Sequence, residues 1–259
     1  MSRFAGRVVV VTGGGTGIGR AIAARFAGEG ARVALCGRDA ARLETVAREL
    51  SAGGATVRAV PLDVRDRAAV ERAFDDLVRE WRGLHILVNN AGVFVMNPLA
   101  EPADPWEDVI ATNLSGAYYC ARAVARHLSP ADDGRIINIA SVLAELGAAG
   151  YTAYCASKAG MIGLTRALAG ELANRKVTVN AILPGWVETS MMEDGLKRLA
   201  YGLRATVPEV RAAARNDIPL KRFIRPAEVA DLAAHLASPG AGGITAQAIV
   251  LDGGESRAG

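Results

Sequence analysis

Residues 8–19 read Val-Val-Val-Val-Thr-Gly-Gly-Gly-Thr-Gly-Ile-Gly. Four β-branched residues in a row predict a short strand buried on both faces. The next segment, Arg20 to Phe26, continues a helical pattern with Ile18, Ile22 and Phe26 on one face. Strand, glycine turn and helix together form the context in which a glycine motif predicts a dinucleotide site. The glycines permit a tight turn and let the backbone approach a pyrophosphate. The helix N-terminus adds free N–H groups and the positive end of its dipole. An ordinary glycine-rich turn is the alternative, and the strand before it argues against that.

Outward from this stretch, short apolar runs alternate with helical patterns. Strands are predicted at 7–12, 32–36, 56–60, 84–89, 134–140, 177–182 and 247–251. Helices are predicted at 17–29, 39–52, 66–81, 104–128, 151–174 and 226–237. Regular βαβ alternation predicts an α/β fold, a Rossmann-type doubly wound parallel sheet of about seven strands with helices on both faces. No Pro/Ser-rich linker divides the chain, so residues 1–259 read as one domain. Asp104 followed by Pro105 predicts a helix N-cap with proline in the first turn, and Pro226 opens another helix. Segment 189–222, with Met191, Met192 and Pro208, predicts one or two short helices outside the sheet pattern. A substrate lid would sit there; a surface decoration is the alternative.

The 259 residues are 51% hydrophobic, so a large core is available. Lys and Arg number 30 against 27 Asp and Glu, a formal charge of +3 without a long run of either sign, which gives no reason to expect nucleic acid. Three cysteines, Cys36, Cys120 and Cys155, lie far apart, and with three His they suggest no metal site. No apolar stretch approaches a membrane span. The first strand begins too close to Met1 for a signal peptide, so a cytoplasmic enzyme is expected.

Tyr154 and Lys158 stand four apart in Tyr-Cys-Ala-Ser-Lys. On a helix they share a face, where an ammonium beside a phenol favours the phenolate and prepares it for proton exchange near neutral pH. By itself such a spacing usually marks a solvated pair. Other segments close predicted strands: Asn89-Asn90-Ala91-Gly92, then Asn138 to Ser141, then Pro184-Gly185-Trp186-Val187-Glu188-Thr189. In an open parallel sheet the carboxyl ends of strands face one crevice.

In this order the segments resemble the short-chain dehydrogenase/reductase family. The matches are Thr-Gly-x-x-x-Gly-x-Gly at 12–19, Asp63, Asn-Asn-Ala-Gly at 89–92, Asn113, Ser141, Tyr154 with Lys158, Pro184-Gly185 and Asp-Gly-Gly at 252–254. They span essentially the whole chain. The glycine spacing departs from the Gly-x-x-Gly-x-x-Gly of the family's extended members, against a sugar epimerase. The resemblance implies Tyr154 as general acid/base, with Lys158 lowering its pKa and holding the nicotinamide ribose. It implies Ser141 on the substrate oxygen and Asn113 holding a water linked to Lys158. Without the family, Asn113 reads as a helix-interior polar residue bonding backbone. The glycine loop, Gly13, Thr16, Gly17, Ile18 and Gly19, would surround the pyrophosphate. Asp63 and Val64 would meet the adenine, and Asn90 the adenosine ribose. The backbone of Val187 and the hydroxyl of Thr189 would fix the carboxamide, with Pro184 and Gly185 also among the cofactor contacts.

Gly37 occupies the strand-end position at which an NAD site places a carboxylate, and Arg38 can grip a 2′-phosphate. Asp39 could instead point inward, and Thr16 stands where many NADP-preferring relatives carry a basic residue. On balance NADP(H) is favoured over NAD(H). The chain as a whole resembles 3-oxoacyl carrier-protein reductases and aromatic-polyketide ketoreductases, and the segments Ile218–Val229 and Ile244–Ala248 resemble the latter in particular. An NADPH-dependent ketoreductase is therefore expected, acting on a small-molecule carbonyl, free or bound to coenzyme A or a carrier protein. The alternatives are an NAD-dependent alcohol, steroid or polyol dehydrogenase and, less favoured, a non-catalytic cofactor-binding regulator. Lys197, Arg198, Arg204, Arg211 and Arg215 could attract the phosphate of such a carrier, or simply be solvated. Small residues on helices 104–128 and 151–174 fit the family's habit of forming homodimers and homotetramers, though they could as well face the sheet.

Overall fold

β1 (Val8–Thr12) sits mid-sheet because each of its residues is buried and its side chains alternate between two cores. In the computed structural model, which describes residues 2–102, 104–128 and 133–257, seven parallel strands lie in the order β3-β2-β1-β4-β5-β6-β7. The others are β2 (Arg32–Gly37), β3 (Val57–Pro61), β4 (Ile86–Asn89), β5 (Arg135–Ile139), β6 (Thr178–Pro184) and β7 (Ala248–Leu251). Val9 pairs with Val33 of β2 on one side and Ile86 of β4 on the other. Chain order therefore reverses at β1/β4, which opens a crevice above their carboxyl ends.

Val9 and Val11 pack with α1 (Gly17–Gly28), α2 (Ala40–Ser51) and α10 (Pro226–Leu236), through Ile22, Phe26, Leu43 and Val229. Val8 and Val10 pack on the opposite face with α3 (Arg67–Trp81), α5 (Gly116–Ala125) and α7 (Thr152–Leu172), through Phe74, Leu77, Val124 and Leu168. Each fully buried aliphatic side chain of this kind stabilises by about 1.5–3 kcal/mol. No helix is long and apolar enough to cross a membrane among the described residues.

All seven predicted strands are present, but the predicted helix 104–128 is not continuous. Asp104 accepts from Trp106 N–H at 3.0 Å in a local turn, and the helix begins only after Pro105, as α4 (Trp106–Ile110). A π-helical turn over Ala111–Ser115 then separates α4 from α5. Segment 189–222 lies outside the sheet as expected, with helices longer than the short ones predicted. It forms two substantial helices, α8 (Ser190–Leu203) and α9 (Val207–Asp217), with their own small core of Met192, Leu196, Ala200, Val210, Ile218 and Phe223. Leu143–Leu146 adds a single unforeseen turn, α6.

Candidate active site

A cavity of about 420 Å³ opens over the carboxyl ends of β1, β4, β5 and β6. Its floor at one end is the glycine turn. Gly13 has φ +65° and Gly17 φ +47°, conformations that L side chains rarely adopt. A Cβ at Gly19 would lie 2.2 Å from the Gly13 carbonyl, so the turn closes this tightly only with glycine there. Asn90 braces it, its Nδ2 donating to the Thr12 carbonyl at 2.9 Å and the Gly13 carbonyl at 3.2 Å. Asp39 and Asp66 cap α2 and α3, whereas α1 has no side-chain cap, and its Gly17 and Ile18 line the cavity. An uncapped helix start beside a cavity suits an anionic phosphate group.

At the other end α7 presents Tyr154 and Lys158, four residues apart and both buried. Its start is held by Asn97, whose Oδ1 accepts from Ala153 N–H at 3.1 Å while its Nδ2 donates to Thr152 Oγ1 at 2.7 Å. Ser141, just beyond β5, accepts from Leu143 N–H at 3.2 Å and acts to lower the pKa of the Tyr154 phenol. Lys158 Nζ donates to the Ile139 carbonyl at 2.8 Å and lies 5.7 Å from the Tyr154 ring centroid. Burial pushes the phenol up to about 12, outweighing the effect of Ser141, and pushes the ammonium down to about 8. The lowered tyrosine pKa expected from a neighbouring lysine is thus reversed: removing the phenol from water outweighs any charge effect.

A family model described as enoyl-(acyl carrier protein) reductase matches residues 13–256. The chain belongs to the short-chain dehydrogenase/reductase family. It is 38% identical over 253 residues to the 3-oxoacyl-[acyl-carrier-protein] reductase FabG of Chlamydia pneumoniae, covering 96% of each chain. It is 40% identical over 250 residues to the ketoacyl reductase 1 of the granaticin polyketide synthase of Streptomyces violaceoruber, covering 95% of this chain and 92% of that one. Among solved structures, a point variant of the actinorhodin polyketide ketoreductase with NADPH superposes with a TM-score of 0.91 at 36% identity, covering 97% of both chains.

This short-chain dehydrogenase/reductase brings Gly13, Thr16, Gly17, Ile18, Asn90, Ser141, Tyr154, Lys158, Pro184, Gly185, Val187 and Thr189 to the one cavity. Thr189 also serves structure, capping α8 by accepting from Met192 N–H at 3.3 Å. Gly19 lies beneath the turn, packed on Gly13 and Asn90. Arg38, Asp63 and Val64 are not in the cavity wall. Asp63 is bound by Arg65, whose guanidinium holds its carboxyl below the usual range, and Val64 packs on Gly116. Asp39 caps α2 and accepts from Arg42 N–H at 3.0 Å instead of pointing inward.

Asn113, in the π turn, uses both ends of its amide. Oδ1 accepts from Val93 N–H at 2.8 Å, and Nδ2 donates to the Val93 carbonyl and Ser157 Oγ. Its contacts match the backbone-bonding alternative: the side chain is a strut between the β4 loop and α7. Of the basic residues on α8 and α9, Lys197 pairs with Asp194, Arg198 donates to the Phe94 carbonyl, and Arg211 is bound to Glu193. Those charges are partly neutralised within the protein.

Sequence reasoning missed Phe94, Trp186 and Glu255, which also line the cavity. Phe94 stacks on Tyr151 at 4.3 Å between centroids and meets Tyr154 edge-on at 4.8 Å. Phe94 and Trp186 adjoin the Asn-Asn-Ala-Gly and Pro-Gly segments, a signal that could have found them. Glu255 follows Asp-Gly-Gly in the same way.

Proposed function

We propose that this oxidoreductase is an NADPH-dependent ketoreductase acting on a 3-oxoacyl thioester or a polyketide-like ketone. The observation that carries the reading is the meeting of Ser141, Tyr154 and Lys158 with the uncapped start of α1 in one cavity. Bound NADPH supplies the hydride. Tyr154, neutral through burial, is prepared to give its phenolic proton to the substrate oxygen as negative charge develops there. The Ser141 hydroxyl hydrogen-bonds the same oxygen and stabilises that charge. Lys158 keeps one proton on the Ile139 carbonyl and a weaker contact to the Met161 sulfur, which leaves its third proton for the ribose hydroxyls of the cofactor. Asn113 acts as a positioning residue for Lys158, since both side chains pack on Gly92.

NADPH over NADH is supported by Arg38 directly after β2, by Gly37 at the strand-end position where an NAD-dependent alcohol, steroid or polyol dehydrogenase would carry a carboxylate, and by the engagement of Asp39 as the cap of α2. The thioester or polyketide substrate is supported by the named relatives. A dimer or tetramer through α7 is supported by Ala156, Ala159 and Gly163, which stand exposed on that helix and allow close approach.

The test is the initial rate of reduced-nicotinamide loss with acetoacetyl-coenzyme A and with a bicyclic ketone, run with NADPH and NADH, on the wild type and on Tyr154→Phe. We expect at least tenfold faster turnover with NADPH, and in the variant a loss of a hundredfold or more with NADPH binding retained. Equal rates with the two cofactors overturn the NADPH assignment. An active Tyr154→Phe overturns the acid role.

A further inference from the structure

Glu255 stands in the wall of the same cavity, and the reaction described above does not use it. Its placement follows from the sequence Asp252-Gly-Gly-Glu-Ser. Gly253 and Gly254 take positive φ of 70° and 94°, and the Asp252 carboxylate accepts from Gly254 N–H at 2.8 Å and Ser256 N–H at 2.7 Å. The Gly253 carbonyl accepts from Leu220 N–H at 3.2 Å, which ties this turn to the segment after α9. The turn lays the Glu255 side chain over Gly185, with Oε2 only 2.6 Å from where a Cβ on Gly185 would stand. Trp186 lies beside the carboxyl and acts to lower its pKa.

Oε2 has no hydrogen-bond partner among the described residues. Oε2 is enclosed against Gly185, whereas Oε1 is not enclosed and is the oxygen open to a partner in the cavity. A carboxylate at this place gains a charge-assisted hydrogen bond from a ligand that brings a donor to Oε1. The two charged side chains of the cavity wall are Lys158 and Glu255, and much of the remainder is apolar, including Phe94, Met192 and Leu199. Asp252 of the same turn and Asp217 of α9 also face Glu255. Together with burial, which has the larger effect, they raise its pKa.

We propose that Glu255 is a specificity-determining residue, accepting a hydrogen bond from a hydroxyl or N–H that the ketone substrate carries away from its reacting carbonyl. The substrate is then a ketone with an apolar, ring-bearing body and a remote donor. An anionic group at that point is disfavoured by Glu255 itself. This rests on the ketoreductase reading and deepens it.

The test uses hydroxy- and methoxy-1-tetralones matched at each aromatic ring position, with NADPH, on the wild type, Glu255→Gln and Glu255→Leu. A hydroxyl can donate and a methoxyl cannot. The wild type is expected to favour the hydroxy ketone in kcat/KM by about tenfold or more at one position at least. In Glu255→Leu the ratio falls to about one. In Glu255→Gln a neutral amide replaces the charged acceptor, so the hydroxyl preference falls as well while the shape of the side chain is kept. The wild-type preference weakens as pH falls and the carboxyl protonates; the Gln variant shows no such dependence. Thermal melts show whether each variant is folded. A ratio that is the same in all three proteins, or no preference at any position, overturns the inference alone. A wild type inert with every ketone overturns the ketoreductase reading, and this inference with it.

Discussion

Lys158 has a side chain that few folds bury: an ammonium held by one carbonyl and a methionine sulfur. Its pKa falls from 10.5 to about 8 through loss of solvation. Between those values the unfolded chain binds more protons than the folded one, so stability rises with pH across that window. Tyr154 has the opposite sign: its pKa rises from 10.0 to about 12, so its contribution declines as pH passes from 10 towards 12. The clean window for Lys158 is therefore pH 8–10. We expect the urea midpoint of the wild type to rise there relative to Lys158→Met, by an amount equivalent to about 1–3 kcal/mol. Parallel pH curves for the two proteins would show that the ammonium is better solvated than its burial implies.

The helix α7 delivers both reactive side chains, so its register and its start matter together. Asn97 holds that start through Ala153 and Thr152, and its own N–H donates to the Gly150 carbonyl at 2.8 Å. Further along, a chain of buried bonds runs from Asn89 on β4 to Asn138 on β5 to Thr165 on α7. That network locks the helix against the sheet in one position, because any slip leaves several buried polar groups without partners. Asn97→Ala removes the acceptor for Ala153 N–H and should cost about 1–2 kcal/mol of stability. We expect kcat to fall more than KM rises, since the phenol loses its alignment while the glycine turn is untouched. Steady-state kinetics beside a thermal melt check this; an unchanged kcat in a destabilised protein would confine Asn97 to a structural role.

Around the sheet, one part of the molecule has a separate core. α8 and α9 close on each other through Met192, Leu196, Val210 and Phe223, and Arg211 stacks over Phe223 at 5.9 Å. Met191, Met192 and Leu199 of this unit also form part of the cavity wall. Phe223→Ala removes a buried ring at a cost of about 3–5 kcal/mol. That cost falls on a small cluster, so the segment should open before the sheet unfolds. Limited proteolysis is expected to cut within 189–222 well below the melting temperature in the variant and not in the wild type. Cutting spread evenly over the chain would show that the two cores unfold as one. The pairing of Arg211 with Glu193 belongs to the same unit, so reversing the charge at Arg211 perturbs this packing as well as any carrier phosphate.

Much of this was legible in the chain itself. The Val8–Val11 run, the glycines after it and the recurring βαβ pattern determined a parallel sheet with a turn suited to phosphate, because periodicity and glycine conformations are local properties. Tyr154, Lys158 and Ser141 were found by spacing and by the segments that close the strands. What needed the tertiary structure was every property set by neighbours far along the chain. The break at Pro105 and the π turn at 111–115 interrupt a pattern that reads as one helix. The upward shift of Tyr154 depends on burial, which no spacing records. Arg211 reads as a solvated charge in the sequence, and the fold brings it onto Glu193 of the preceding helix. Glu255 meets Trp186 only because the last turn folds back over β6, some 70 residues away in sequence. Local chemistry is written residue by residue; solvation and partnership arise only when distant segments exclude water together.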